Sequence, residues 1–144
     1  MQHIEKLVND WRTGGYQGAE QETLNILNHV RRVSFLHEPQ IEALETYIYL
    51  KEIAGNKPSL GVFRSSFPNE KELLLGLGIP KAEAFELMGD SKEIERRLVE
   101  AFGASDYANQ VYALTMGSGK TILMAAMMLY DFTLSFYHPK DERF

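Results

Sequence analysis

Apolar residues recur at helical spacing along most of the chain. Ile4, Leu7, Val8 and Trp11 mark a first helix, which Gly14-Gly15 stops. Leu24, Leu27 and Val30 share one face of a second, predicted from about residue 19 to residue 32. Pro39 suits the first turn of a third helix, where its missing N–H would have been unpaired. Ile41, Leu44 and Ile48, with Ala43, Tyr47 and Leu50, then form a broad apolar face as far as Gly55, a natural stop. Residues 56–68 carry Gly, Pro and Ser without periodicity and predict a loop, with a short extended piece at Leu60–Phe63. Short helices are expected at Glu70–Leu75 and Lys81–Met88, each after a proline. Asp90 with Glu93 three residues on has the form of a capping box. It opens a helix whose buried stripe is Ile94, Leu98, Val99 and Phe102 and whose end is Gly103. The pattern then changes. Gln110–Thr115 predicts a single strand, followed by a helix from Gly119 to about Phe132. The tail from Tyr137 to Phe144 is polar and has no turn signal, as expected of a chain cut short.

Composition narrows this picture only modestly. At 144 residues, 44% hydrophobic and 24% charged, the chain reads as one ordinary globular unit with a core. Zero Cys excludes a disulfide scaffold and a cysteine metal site. No 18-residue apolar run and no signal-peptide pattern is present, which makes cytoplasm the expectation and a membrane partner not expected. The net charge of -5 argues against a chain that grips a polyanion by itself. Arg31-Arg32 and Arg96-Arg97 read as solvated helix faces, so DNA contact is expected mostly outside these residues.

The run Met116-Gly117-Ser118-Gly119-Lys120-Thr121 carries the chemistry. It sits between the predicted strand and an apolar helix, the setting a phosphate-binding loop requires. Gly117 and Gly119 allow positive φ and close backbone approach to an anion. Successive N–H groups and the following helix N-terminus then face the phosphates. Lys120 reaches the β and γ phosphates, and the Thr121 hydroxyl meets Mg²⁺ held through the nucleotide. Met124, Met127 and Met128 on the next helix are expected as core filler. Asp131 lies on or just beyond that same helix, so it is not the metal-holding Asp of a neighbouring strand.

With that loop, Tyr112–Thr121 and Tyr137–Phe144 resemble the start of the motor domain of superfamily 2 helicases of the DEAD/DEAH-box type. The closest likeness is to the helicase-like restriction subunit of type III restriction-modification systems. Leu114 stands where the general loop pattern has Gly or Ala, a departure that favours helicase-type ATPases over kinases and GTPases. Leu36–Leu44 resembles the family segment in which a Gln just inside a helix reads the adenine edge, a role that falls to Gln40. Joined to the helical periodicity of the first two-thirds, which itself resembles no family, the resemblance gives an α-rich α/β fold. A helical N-terminal region, 1–108, with its adenine-reading segment at 35–55, leads into the first strand, P-loop and helix of an incomplete RecA-like P-loop NTPase domain at 109–144. It implies ATP and Mg as cofactors, no complete catalytic set in this chain, and DNA contact through parts of a parent protein. It also implies a modification methyltransferase subunit as partner. The parent would be an ATP-hydrolysing helicase or translocase, and this chain would bind nucleotide without turnover.

Two other readings stand beside that one: a small P-loop nucleotide or metabolite kinase, which needs a complete parallel sheet, and a non-enzymatic helical interaction module with a vestigial loop. A lone strand with open edges also predicts that the last 35 or so residues are either marginal or held by the N-terminal helices.

Overall fold

The computed structural model describes residues 2–103, 108, 112–113 and 119–144. Among these residues it contains eight α-helices and no strand. The α-rich expectation holds. The expected strand at 110–115 lies mostly outside the described residues, and its described members, Tyr112 and Ala113, carry no strand structure.

The helices are α1 (Gln2–Thr13), α2 (Gln21–Val33), α3 (Glu38–Ile48), α4 (Ser59–Ser65), α5 (Glu70–Gly76), α6 (Lys81–Leu87), α7 (Ser91–Phe102) and α8 (Lys120–Tyr137). A π-helical turn, Tyr49–Ile53, continues α3. The chain forms two compact units, Met1–Asn56 with Val111–Phe144, and Lys57–Gln110.

In the first unit α8 packs on α2 and α3, and α1 packs on α3. Trp11, Leu27, Val30, Leu44, Ile48, Leu123, Tyr130 and Leu134 form its core. Each fully buried side chain of this size contributes about 1.5–3 kcal/mol. The segment after residue 119 is thus held by the N-terminal helices, the second of the two outcomes expected for it.

Two carboxylates lie inside this core. Glu45 is fully buried and accepts hydrogen bonds from Arg12 Nε (2.7 Å), Arg31 Nη2 (2.6 Å) and the Tyr16 hydroxyl (2.5 Å). Glu52, on the π turn, is also buried. It accepts from Thr23 Oγ1 at 2.7 Å, Tyr130 Oη at 2.9 Å and the backbone N–H of Glu20. Burial, then the neighbouring Glu52 charge, raises the Tyr130 hydroxyl pKa, so it remains a donor.

The tail departs from expectation. Residues 138–144 turn back on the core: Asp141 N donates to His138 O (3.0 Å), and Arg143 N donates to Asp141 Oδ1 (3.0 Å). Arg143 then reaches Glu20 at 3.0 Å and the Glu52 carbonyl at 3.1 Å, and Phe144 meets Tyr130 edge-on. Pro139 at the second position of the His138–Asp141 turn, with Asp141 and Arg143 after it, supplies the turn logic.

The second unit buries Phe63, Leu73, Leu74, Ala84, Ile94 and Leu98. Here the loop expected at 56–68, with its extended piece, is corrected. Ser59–Ser65 is a helix that buries Val62 and Phe63. Leu60, Phe63 and Phe67 repeat at helical spacing, and tertiary burial outweighs the weak propensity of Gly61 and the serines. Asp90 caps α7 by accepting from Glu93 N at 3.1 Å. The Glu93 carboxylate turns instead to Arg96 and Arg97, which hold its pKa down at about 2.

Tyr130→Phe should cost about 1.5–3 kcal/mol in urea unfolding, because it removes a hydrogen bond to a buried carboxylate. A loss below about 0.5 kcal/mol would show that Glu52 is not organised as described. The Asp141 carboxyl is held at about 2, against an ordinary 3.8, first by the Arg143 side chain and then by the Arg143 amide. Its contribution is therefore complete above 3.8 and disappears as pH falls through about 2. An NMR titration of that carboxyl should have its midpoint near 2 and return toward 3.8 in Arg143→Ala. A wild-type midpoint at 3.8 would mean the tail is not pinned.

Candidate functional site

The N-termini of α3 and α8 meet. Pro39 and Gln40 occupy the first turn of α3, and the Gln40 side chain is buried. Its Oε1 accepts from the His37 backbone N–H at 2.6 Å, closing the start of the helix. Its Nε2 donates to the carbonyl of Gly119 at 2.9 Å, across 79 residues of sequence. The carboxamide keeps one N–H and part of its oxygen's accepting capacity beyond these two bonds.

Gly119 is the residue before α8 and has φ 71° and ψ 36°, a left-handed conformation that costs other residues free energy. Its carbonyl also accepts from Ile122 N (3.0 Å) and Leu123 N (3.1 Å), opening the helix. A Cβ added here would overlap Gln40 Nε2. The backbone conformation therefore demands glycine, and a side chain here would also have to displace the Gln40 amide. As glycine it brings no capping side chain, so the first N–H groups of an 18-residue helix keep the partial positive charge of its N-terminus. Lys120 and Thr121, the first two residues of α8, are exposed beside it. The structure thus brings together Gln40, Gly119, Lys120 and Thr121 of the residues singled out from sequence. Met116, Gly117 and Ser118 lie outside the described residues.

Thr121 has a second neighbourhood. It lines a groove of about 610 Å³ between α2 and α8, walled by Ile26, Val30, Phe35, Ile122, Ala125 and Leu129. Of the three methionines expected as core filler, Met124 and Met128 are exposed and only Met127 packs on the core. Asp131 lies within α8 and pairs with Lys51 Nζ (2.6 Å) and the Tyr47 hydroxyl (2.7 Å). Burial, then Asp131, pushes the Tyr47 pKa up. This places Asp131 as a link from α8 to α3 and its π-helical extension.

Of the basic pairs, Arg31 serves Glu45, Arg32 lies near His29, and Arg96 and Arg97 are tied to Glu93, Glu100 and Glu83. One cluster escaped the sequence reading. Glu20, Glu22 and His138 bring ligand atoms within 4.8 Å of one another. Arg143 already engages Glu20, and His138 engages Glu22 at 3.3 Å, so the cluster clasps the tail to the start of α2. No helix among the described residues is long and apolar enough to cross a membrane. No family model matches the sequence, and neither the curated proteins nor the solved structures contain a match.

Gly119→Ala should destabilise the protein by about 1–3 kcal/mol, from the left-handed backbone and the overlap together. In a Gln40→Ala background the overlap is gone and only the backbone cost remains. A double-mutant cycle by thermal unfolding should therefore show coupling of about 0.5 kcal/mol or more. Strict additivity would break the proposed link between the two residues.

Proposed function

We propose that this chain is the ATP-binding front portion of an ATP-dependent DNA helicase or translocase of the type III restriction kind. The observation that carries the reading is the start of α8. A left-handed glycine is held by a buried carboxamide, and an exposed lysine and threonine follow on the helix N-terminus. That arrangement supports an anion site, since a helix N-terminus attracts phosphate and Lys120 adds a full charge. In this reading Met116 to Thr121 wrap the triphosphate, Thr121 meets its Mg²⁺, and Gln40 has two roles. It sets the position of Gly119, and it reads the adenine edge only after turning out of its buried place. Hydrolysis, DNA contact and a methyltransferase partner belong to the parent protein, working in the cytoplasm. This chain binds nucleotide without turning it over.

A second reading is a helical interaction module with a vestigial loop. The exposed apolar face of α8 favours it. The kinase reading loses ground, because it needs a parallel sheet and the described residues hold no strand.

Nucleotide binding separates the two remaining readings. Wild type should bind a fluorescent ATP analogue in the presence of Mg²⁺. Lys120→Ala should weaken binding by about 1.5–3 kcal/mol, roughly 10- to 150-fold, by loss of a charge-assisted contact. Equal binding by both proteins, or binding by neither, would defeat the ATP reading.

A further inference from the structure

Helix α8 is apolar on all sides, the signature of a helix covered all round. Its inner face is covered: Leu123, Ala126, Tyr130 and Leu134 are buried in the first unit. Its outer face is open. Met128, Phe132 and Phe136 are 55%, 72% and 78% exposed, and Ile122 and Leu129 are 44% and 55% exposed. Ile122, Ala125, Leu129, Phe132 and Phe136 follow one another at intervals of three, four, three and four residues. That is the spacing of a helix-pairing seam, in which each side chain drops between residues of a facing helix.

Three observations identify the facing helix as a second copy of α8. The open face offers on the order of 600 Å² at roughly 200 Å² per fully exposed large side chain, the low end of one partner's share of a specific interface. The seam carries no charge to repel its like, because Asp131 is turned to Lys51 and Tyr47 and Lys120 stands at the helix start. The seam is also self-complementary. Its N-terminal half holds Ile122 and Ala125, and its C-terminal half holds Phe132 and Phe136. An antiparallel pair sets bulky residues against smaller ones, whereas a parallel pair would stack phenylalanines together and leave a void at Ala125.

We propose that the protein forms a homodimer through α8, two copies lying antiparallel with Leu129 at the two-fold axis. The groove beside the seam, with Ile26, Val30 and Phe35 on its α2 side, receives the flank of the second helix.

The test is sedimentation of the full chain beside Phe132→Glu/Phe136→Glu, two exposed sites whose change leaves the core alone. Wild type should be a dimer and the double variant a monomer, with unchanged circular dichroism. The sequence has no Cys, so each introduced thiol is unique. Leu129→Cys should form a disulfide-linked dimer on mild oxidation. Ala125→Cys should not, because its two copies would lie about 12 Å apart along the helix axis. A monomeric wild type, a dimer that survives the double substitution, or crosslinking through Ala125→Cys in place of Leu129→Cys would each overturn the proposal. Lys120→Ala should remain dimeric, so this result and the nucleotide-binding result are read independently.

Discussion

Two glutamates buried seven residues apart on one helix and its extension constrain the first unit. A carboxylate removed from water costs several kcal/mol unless donors surround it, so the chain must deliver donors to both Glu45 and Glu52. Those donors come from each of the other elements of this unit: Arg12 from α1, Tyr16 from the turn after it, Arg31 and Thr23 from α2, and Tyr130 from α8. Apolar burial alone would tolerate sliding between these helices. Satisfying two buried charges fixes their register, because a shift of one residue leaves a carboxylate unpaired.

The candidate site inherits its geometry from that register. Tyr130 meets Glu52 and Asp131 meets Lys51, which set α8 against α3 along their length. The start of α8 then falls beside the start of α3, where Gln40 meets the Gly119 carbonyl. Gln40 is therefore the last of a series of polar ties between the two helices. Its amide could not span the gap if the ties deeper in the core were displaced.

Much of the helical fold was legible in the sequence, because amphipathic spacing and end signals agree. Trp11 before Gly14, Pro39 at the start of α3, and Asp90 and Gly103 around α7 mark ends by local chemistry. What escaped notice depended on distant partners. Helix α4 is composed of poor helix formers and exists because Val62 and Phe63 find a core. The tail is held on the core because Arg143 meets Glu20 and the Glu52 carbonyl, 123 and 91 residues away in the chain. Met124 and Met128 were misread for another reason. In a helix apolar on all sides, periodicity does not tell the inner face from the outer one. Glu45 and Glu52 left a visible trace that went unused: both fall on the face shared by Ile41, Leu44 and Ile48, where a charge demands a partner.

The residues of the site were legible as types, while their association was not. The sequence marks Gln40 as a helix-start carboxamide and Gly119 as a loop glycine, but nothing local joins them. Their contact explains more than either residue alone. A glycine at 119 is required by a positive φ, and the amide packed against it would have to move for any side chain, whatever ligand the loop holds. The same tie would stand in a protein whose loop had lost its ligand. The Gln40–Gly119 geometry therefore supports a preorganised helix start, and the claim of phosphate chemistry rests on the charge and exposure of Lys120.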